Sequence, residues 1–106
     1  MNYGLNNVLL KPTWSGSAVV AGQAKTITST AAVQFTTFTS RTDGVVFDVQ
    51  VANVWVTFDG TTPATGVAHI LSQGTQYTWS KAAAEQAKFV ATTTTNAILY
   101  ASEFQT

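Results

Sequence analysis

The sequence predicts an all-β protein, an antiparallel β-sandwich of jelly-roll-like or Greek-key type with an extended N-terminal arm. Threonine and valine are abundant, and their branched side chains favour strands. Turn-forming glycine, proline, asparagine and aspartate recur at short intervals, as expected between short strands. Apolar and polar residues alternate through "VVFDVQVANVWVTFDG", the pattern of strands with one buried face.

The 106 residues are enough for one domain. Residues 1–23 are predicted to form the extended arm, because glycine, asparagine, proline and serine interrupt each apolar pair there. Residues 24–106 are predicted to form a single β-sandwich domain. Besides the alternating segment above, strands are predicted at 24–30, 32–39, 67–71, 75–79, 87–92 and 97–104.

The alternating segment changes parity in its middle. Its apolar residues form two sets, namely Phe47, Val49 and Val51, followed by Val54, Val56 and Phe58. A two-residue hairpin loop at Ala52-Asn53 would pair the two sets and point all six side chains the same way. A β-bulge within one long strand is the other interpretation. The hairpin is favoured because the pairing it produces is fully consistent.

The C-terminal third carries three further patterns. "TQYTW" places Thr75, Tyr77 and Trp79 on one face of a strand. "SKAAAEQAK" predicts one or two helical turns that begin after Ser80 as the N-cap. "AILYASEF" is apolar on both faces near its start, as expected for a central or a subunit-facing strand.

The charge composition limits the classes of partner. Only 9% of the residues are charged, and five acids balance five bases. A chain without a basic excess is not expected to bind nucleic acid. No apolar run approaches the ~20 residues that span a bilayer, and no signal peptide is visible, so no membrane partner is predicted. Low charge also reduces repulsion between copies, which favours an assembly.

The sequence predicts neither an enzyme nor a cofactor. His69 is the only histidine, there is no cysteine, and the five acidic residues are scattered along the chain. These residues therefore do not have the spacing of a recognisable acid–base or metal site. His69 is therefore interpreted as a structural or surface residue. In Asp59-Gly60, the aspartate is expected to bond the backbone ahead of it, and the glycine to supply a positive φ.

The aromatic residues allow two interpretations. Trp14 in the arm and Trp55, which alternates outward from its strand, are expected to be buried against a neighbouring chain, while Tyr77 and Trp79 belong to the core. The alternative is a carbohydrate-binding surface, for example at a fibre tip, made by Trp14, Trp55, Tyr77 and Trp79.

Residues 45–106 resemble the small β-sandwich structural proteins of tailed bacteriophages. The family's strand ending in an aromatic residue and Asp-Gly is matched by Phe58-Asp59-Gly60, and a polar loop with Pro63 follows. The family's Gly-His-Leu-Leu strand is spread out here as "GVAHIL", before a turn glycine at Gly74. "KFVA", a threonine-rich turn and a last strand complete the pattern.

The resemblance implies an assembly role in a virion, in the head, neck, tail or fibre, for a protein made in the host bacterial cytoplasm. A capsid decoration (cement) protein is the role we predict. Its expected partners are the major capsid protein or another virion protein, and further copies of itself in a homo-oligomer such as a trimer. An adhesion or carbohydrate-binding module of a fibre or tail is the alternative. The candidate interface residues are Tyr3, Leu5, Val8, Leu9, Leu10, Trp14 and Trp55.

Overall fold

The computed structural model describes residues 22–105, and these residues form seven strands and one short helix. In chain order the strands and the helix are β1 Gln23–Ile27, β2 Gly44–Gln50, β3 Val54–Thr57, β4 His69–Leu71, β5 Gln76–Ser80, α1 Lys81–Gln86, β6 Lys88–Ala91 and β7 Ala97–Phe104. The predicted all-β class is confirmed. No helix in this part of the chain is long and apolar enough to cross a membrane.

The strands form two antiparallel sheets. The four-stranded sheet has the order β1-β7-β2-β5, and the three-stranded sheet has the order β4-β3-β6. β7 lies between β1 and β2, which confirms the prediction of a central strand. Its register places Leu99 opposite Val49 of β2 and Lys25 of β1.

A single hydrophobic core is built by alternate residues of both sheets. Phe47 lies within it, with its ring 4.7 Å from that of Trp79 and 5.4 Å from that of Phe35. The largest fully buried side chains are Phe47, Phe89, Ile27, Leu99, Val45, Val49, Val54 and Val56. Burial alternates along β7 and most of β2, whereas three consecutive residues of β6, Phe89, Val90 and Ala91, are buried.

The parity change between β2 and β3 marks a crossing between sheets. The predicted hairpin at Ala52-Asn53 is wrong, because β2 pairs with β5 and β7, whereas β3 pairs with β4 and β6. The bulged-strand alternative is wrong for the same reason. Val51 has a φ of 77° and begins the connection. Both sheets point their apolar residues at one core, and the parity changes in the connection at residues 51–53 where the chain crosses between them.

The predicted strand at 32–39 is also wrong. Only Val33 forms a β-bridge there, with Phe89, although Phe35 and Phe38 are buried. At Thr36 a side chain, rather than a neighbouring strand, supplies the hydrogen-bond partners of the backbone. The Gln23 amide accepts from Thr36 N at 2.8 Å and donates to Thr36 O at 3.2 Å.

The remaining predicted elements are confirmed with small changes of boundary. β1 begins at Gln23, and β4 to β7 lie within the predicted ranges or one to two residues from their ends. Helix α1 has Ser80 as its N-cap, whose Oγ accepts from Ala83 N at 3.2 Å. The rest of the predicted arm, residues 1–21, lies outside the described residues.

One buried carboxylate anchors the segment that leads into β2. Glu103 is on the core-facing side of β7 and is buried. Its Oε1 accepts from Thr42 Oγ1 at 2.6 Å and from Thr39 N at 3.0 Å. A carboxylate that accepts two hydrogen bonds holds this turn against the end of the sheet.

Candidate functional site

Trp55 lies on the face of the three-stranded sheet that points away from the core. Its neighbours in the strand, Val54 and Val56, are fully buried, so the pleat directs the indole outward as predicted. Ile70 of β4 and Val90 of β6 lie directly opposite Trp55 on its two sides. Ile70 is 59% exposed, and Trp55 is half-buried. We refer to Trp55, Ile70 and Val90 as the Trp55 face.

The Trp55 face is almost free of charge. On the outward side of β3, β4 and β6 the one charged residue is Lys88, and its Nζ donates to Gly60 O at 2.9 Å. Val90 is buried, so the accessible part of the face consists of Ile70 and part of Trp55. An uncharged apolar patch of this kind is typical of a surface that is covered in an assembly.

The outer face of the four-stranded sheet differs in character. One row across it reads Ala24, Tyr100, Asp48 and Gln76, and Gln76 Nε2 donates to Asp48 Oδ1 at 3.0 Å. Tyr100 is 45% exposed there. Tyr100 lies between Ala24 and Asp48 in this row, so the face is more polar than the Trp55 face.

Four aromatic rings lie together on the side of the molecule where β4 and β5 are the edge strands of their sheets. We call this group the aromatic rim, and it consists of Phe58, His69, Tyr77 and Trp79. The ring of Phe58 lies 5.1 Å from that of Trp79 and 6.3 Å from that of His69. Tyr77 and Trp79 also pack against the core through Phe47, as predicted.

The aromatic residues considered for a carbohydrate-binding surface do not lie together. Trp55 faces outward from the three-stranded sheet, whereas Tyr77 and Trp79 point between the sheets. Trp14 and the other predicted interface residues of the arm lie outside the described residues. The described members of the set therefore do not form one stacking surface.

An open cleft lies beside the aromatic rim, where β3 and β4 diverge. This loop cleft has a volume of about 510 Å³ and is lined by residues 56–59 and 66–69. Phe58, Asp59 and His69 are among its lining residues. His69 is exposed, in agreement with its interpretation as a surface residue.

The Asp59-Gly60 turn has the predicted form. Asp59 Oδ1 accepts from Thr61 N at 3.1 Å and from Thr61 Oγ1 at 2.7 Å, and Gly60 has a φ of 90°. The hydrogen bond from the Thr61 side chain, followed by that from its backbone, lowers the pKa of Asp59 below 3.8. The carboxylate is therefore ionised at neutral pH.

Residues 22–105 contain no group of three or more histidine, cysteine, aspartate or glutamate side chains that could together hold a metal ion. The cleft can instead offer an aromatic surface, one anionic acceptor and one imidazole. Sequence reasoning singled out Trp55 but missed Ile70 and the joint position of Phe58, Asp59 and His69. Alternation could have identified Ile70, whereas the cleft depends on the pairing of β3 with β4.

Comparisons with models of protein families, with curated proteins and with solved structures find no match for this chain.

Proposed function

We propose that this chain is a structural protein of a tailed-bacteriophage virion, specifically a capsid decoration protein that acts as a homo-oligomer. The observation that carries the proposal is the Trp55 face. Trp55 and Ile70 lie side by side on the outward face of the sheet, and residues 22–105 place no free charge on the outward side of β3, β4 and β6. A second copy is the occupant we assign to this face, because a neutral chain with few charges offers little repulsion to its own copies.

We further propose that the two sheets form a jelly-roll sandwich. The strand order supports this proposal, since adding Val33 beside β6 gives two rows of four, β1-β7-β2-β5 and Val33-β6-β3-β4. The chain changes sheet between β2 and β3, between β4 and β5, and after both β5 and β6. Viral capsid proteins are among the proteins that use this double-sheet arrangement.

The N-terminal arm is proposed to bind the capsid. Its apolar residues, Tyr3, Leu5, Val8, Leu9, Leu10 and Trp14, would clamp neighbouring capsomers, while the Trp55 face joins copies of the chain. The two roles use different residues, so they can be tested separately.

Co-sedimentation with capsids tests the proposal. Full-length protein should sediment with capsids assembled from the major capsid protein of the same genome, and a variant lacking residues 1–14 should remain in the supernatant. Circular dichroism should show the same β-sheet content for both proteins. Equal capsid binding by the truncated protein would exclude the clamping role of the arm, and absence of binding by either protein would exclude decoration.

A further inference from the structure

The loop cleft combines an apolar wall with a polar one. Phe58 is 38% exposed, and its ring makes an edge-to-face contact with that of Trp79, with the ring centroids 5.1 Å apart. Val67, which is exposed, continues the apolar wall. The polar wall holds the Asp59 carboxylate and the His69 imidazole. A ligand that fits both walls has an apolar face and several hydrogen-bonding groups.

Charges of both signs lie near the cleft, so neither anions nor cations are strongly favoured there. The Asp59 carboxylate repels anions. The Lys88 ammonium is held at the adjacent residue, 2.9 Å from Gly60 O, and it disfavours cations. A neutral ligand experiences neither repulsion.

We propose that the loop cleft binds one sugar ring of a neutral saccharide. The C–H face of the ring stacks on Phe58, its hydroxyls donate to the Asp59 carboxylate, and His69 exchanges a further hydrogen bond. Carboxylates accept strong hydrogen bonds from hydroxyl donors, and an aromatic ring offers a rigid apolar surface. The volume of about 510 Å³ is within the range of small-molecule sites.

The Asp59 turn prepares the site for this ligand. Oδ1 is fixed by two hydrogen bonds from Thr61, which holds the carboxylate in one orientation before a ligand arrives. Preorganisation of this kind lowers the entropic cost of binding. The proposal is independent of the virion role, since it uses neither the Trp55 face nor the arm.

Titration of the full-length ¹⁵N-labelled protein with glucose, galactose, mannose and N-acetylglucosamine tests the site. At least one sugar should give saturable amide shifts at Phe58, Asp59, Gly66 and His69. A dissociation constant of about 1–10 mM is expected, since one ring makes few contacts. Asp59→Asn keeps an oxygen acceptor for Thr61 but loses the charge, so it should weaken binding at least about fivefold.

Two controls decide the outcome. Tyr100→Ala removes an exposed aromatic ring from the other sheet and should leave the affinity unchanged, whereas Phe58→Leu should abolish saturation. The spectra of the variants report directly whether each one is folded. Failure of all four sugars to saturate these amides up to about 100 mM would overturn the proposal, as would tighter binding of tetramethylammonium than of any sugar.

Discussion

Val51 stores backbone strain at the crossing between the two sheets. Its φ of 77° lies in a region that a β-branched residue rarely adopts, and its side chain is exposed, so little burial compensates for the strain. Val51→Gly should raise the free energy of unfolding by about 0.5–1 kcal/mol, as measured by urea denaturation.

Val67→Gly is the matched control for this substitution. Val67 is likewise an exposed valine, but it is not among the residues with positive φ. Glycine there should lower the free energy of unfolding by about 0.5–1 kcal/mol, because it adds freedom to the unfolded chain. Equal destabilisation by both substitutions would contradict the assignment of strain to Val51.

Glu103 should be the most sensitive charged position among the described residues. Glu103→Ala leaves Thr39 N and Thr42 Oγ1 without their acceptor in a buried site. The expected loss of unfolding free energy is about 2–3 kcal/mol. Glu85→Ala, at a partly exposed helix position, should change it by less than about 0.5 kcal/mol. Similar losses for both variants would show that the Glu103 hydrogen bonds contribute little.

The Asp59 turn should make stability depend on pH in the acid range. The folded-state pKa lies below 3.8, so the stabilising contribution is complete above the unfolded value and is lost as the pH falls through the folded one. The Asp59→Asn variant lacks the stabilising contribution of the Asp59 carboxylate. Urea denaturation between about pH 2 and pH 6 should show the difference between wild type and variant shrinking with acid, whereas a constant difference would contradict the assignment.

At the scale of elements, the segment between β1 and β2 depends on side-chain hydrogen bonds. Both backbone groups of Thr36 bond the amide of Gln23, as a neighbouring strand would. Gln23→Ala should lower the free energy of unfolding by about 1 kcal/mol and speed amide hydrogen exchange at Thr36. Gln50→Ala, at an exposed strand end, should do neither. Unchanged exchange at Thr36 would show that other contacts hold the segment.

The segment at 32–39 also shows a limit of structure prediction from the sequence. Residues 97–104 were predictable as a central strand because the start of the segment is apolar on both faces, and the Ser80 cap was predictable because its signal is local. The segment at 32–39 has the composition of a strand, but beyond the Val33–Phe89 bridge its backbone bonds the side chains of Gln23 and Glu103, which lie outside the segment in sequence. No local pattern specifies such partners.

The parity change at Val51 illustrates a second limit. Of the six residues that alternation placed on the core side, Phe47, Val49, Val54 and Val56 are buried, whereas Val51 and Phe58, at the ends of the two sets, are exposed. Alternation could not distinguish a hairpin within one sheet from a crossing between two, because both place the four buried residues on the core side. For the same reason, the sequence predicted Trp55 as outward but could not place Ile70 beside it.

At the scale of the whole molecule, the two exposed apolar features lie in different places and suit different partners. The Trp55 face is an open sheet surface, which favours a macromolecular partner of similar shape. The loop cleft is concave and polar on one side, which favours a small ligand. Substitutions in one should therefore leave the function of the other unchanged.

The central claim, self-association through the Trp55 face, is tested most directly by light scattering coupled to size-exclusion chromatography. At about 50 μM, full-length protein should elute as one closed oligomer, and a trimer would have three times the mass of one chain. Trp55→Glu places a charge in the centre of the face and should yield a folded monomer. Tyr100→Glu, on the other sheet, should retain the oligomer. A monomeric wild-type protein, or an oligomer that survives Trp55→Glu, would contradict the account.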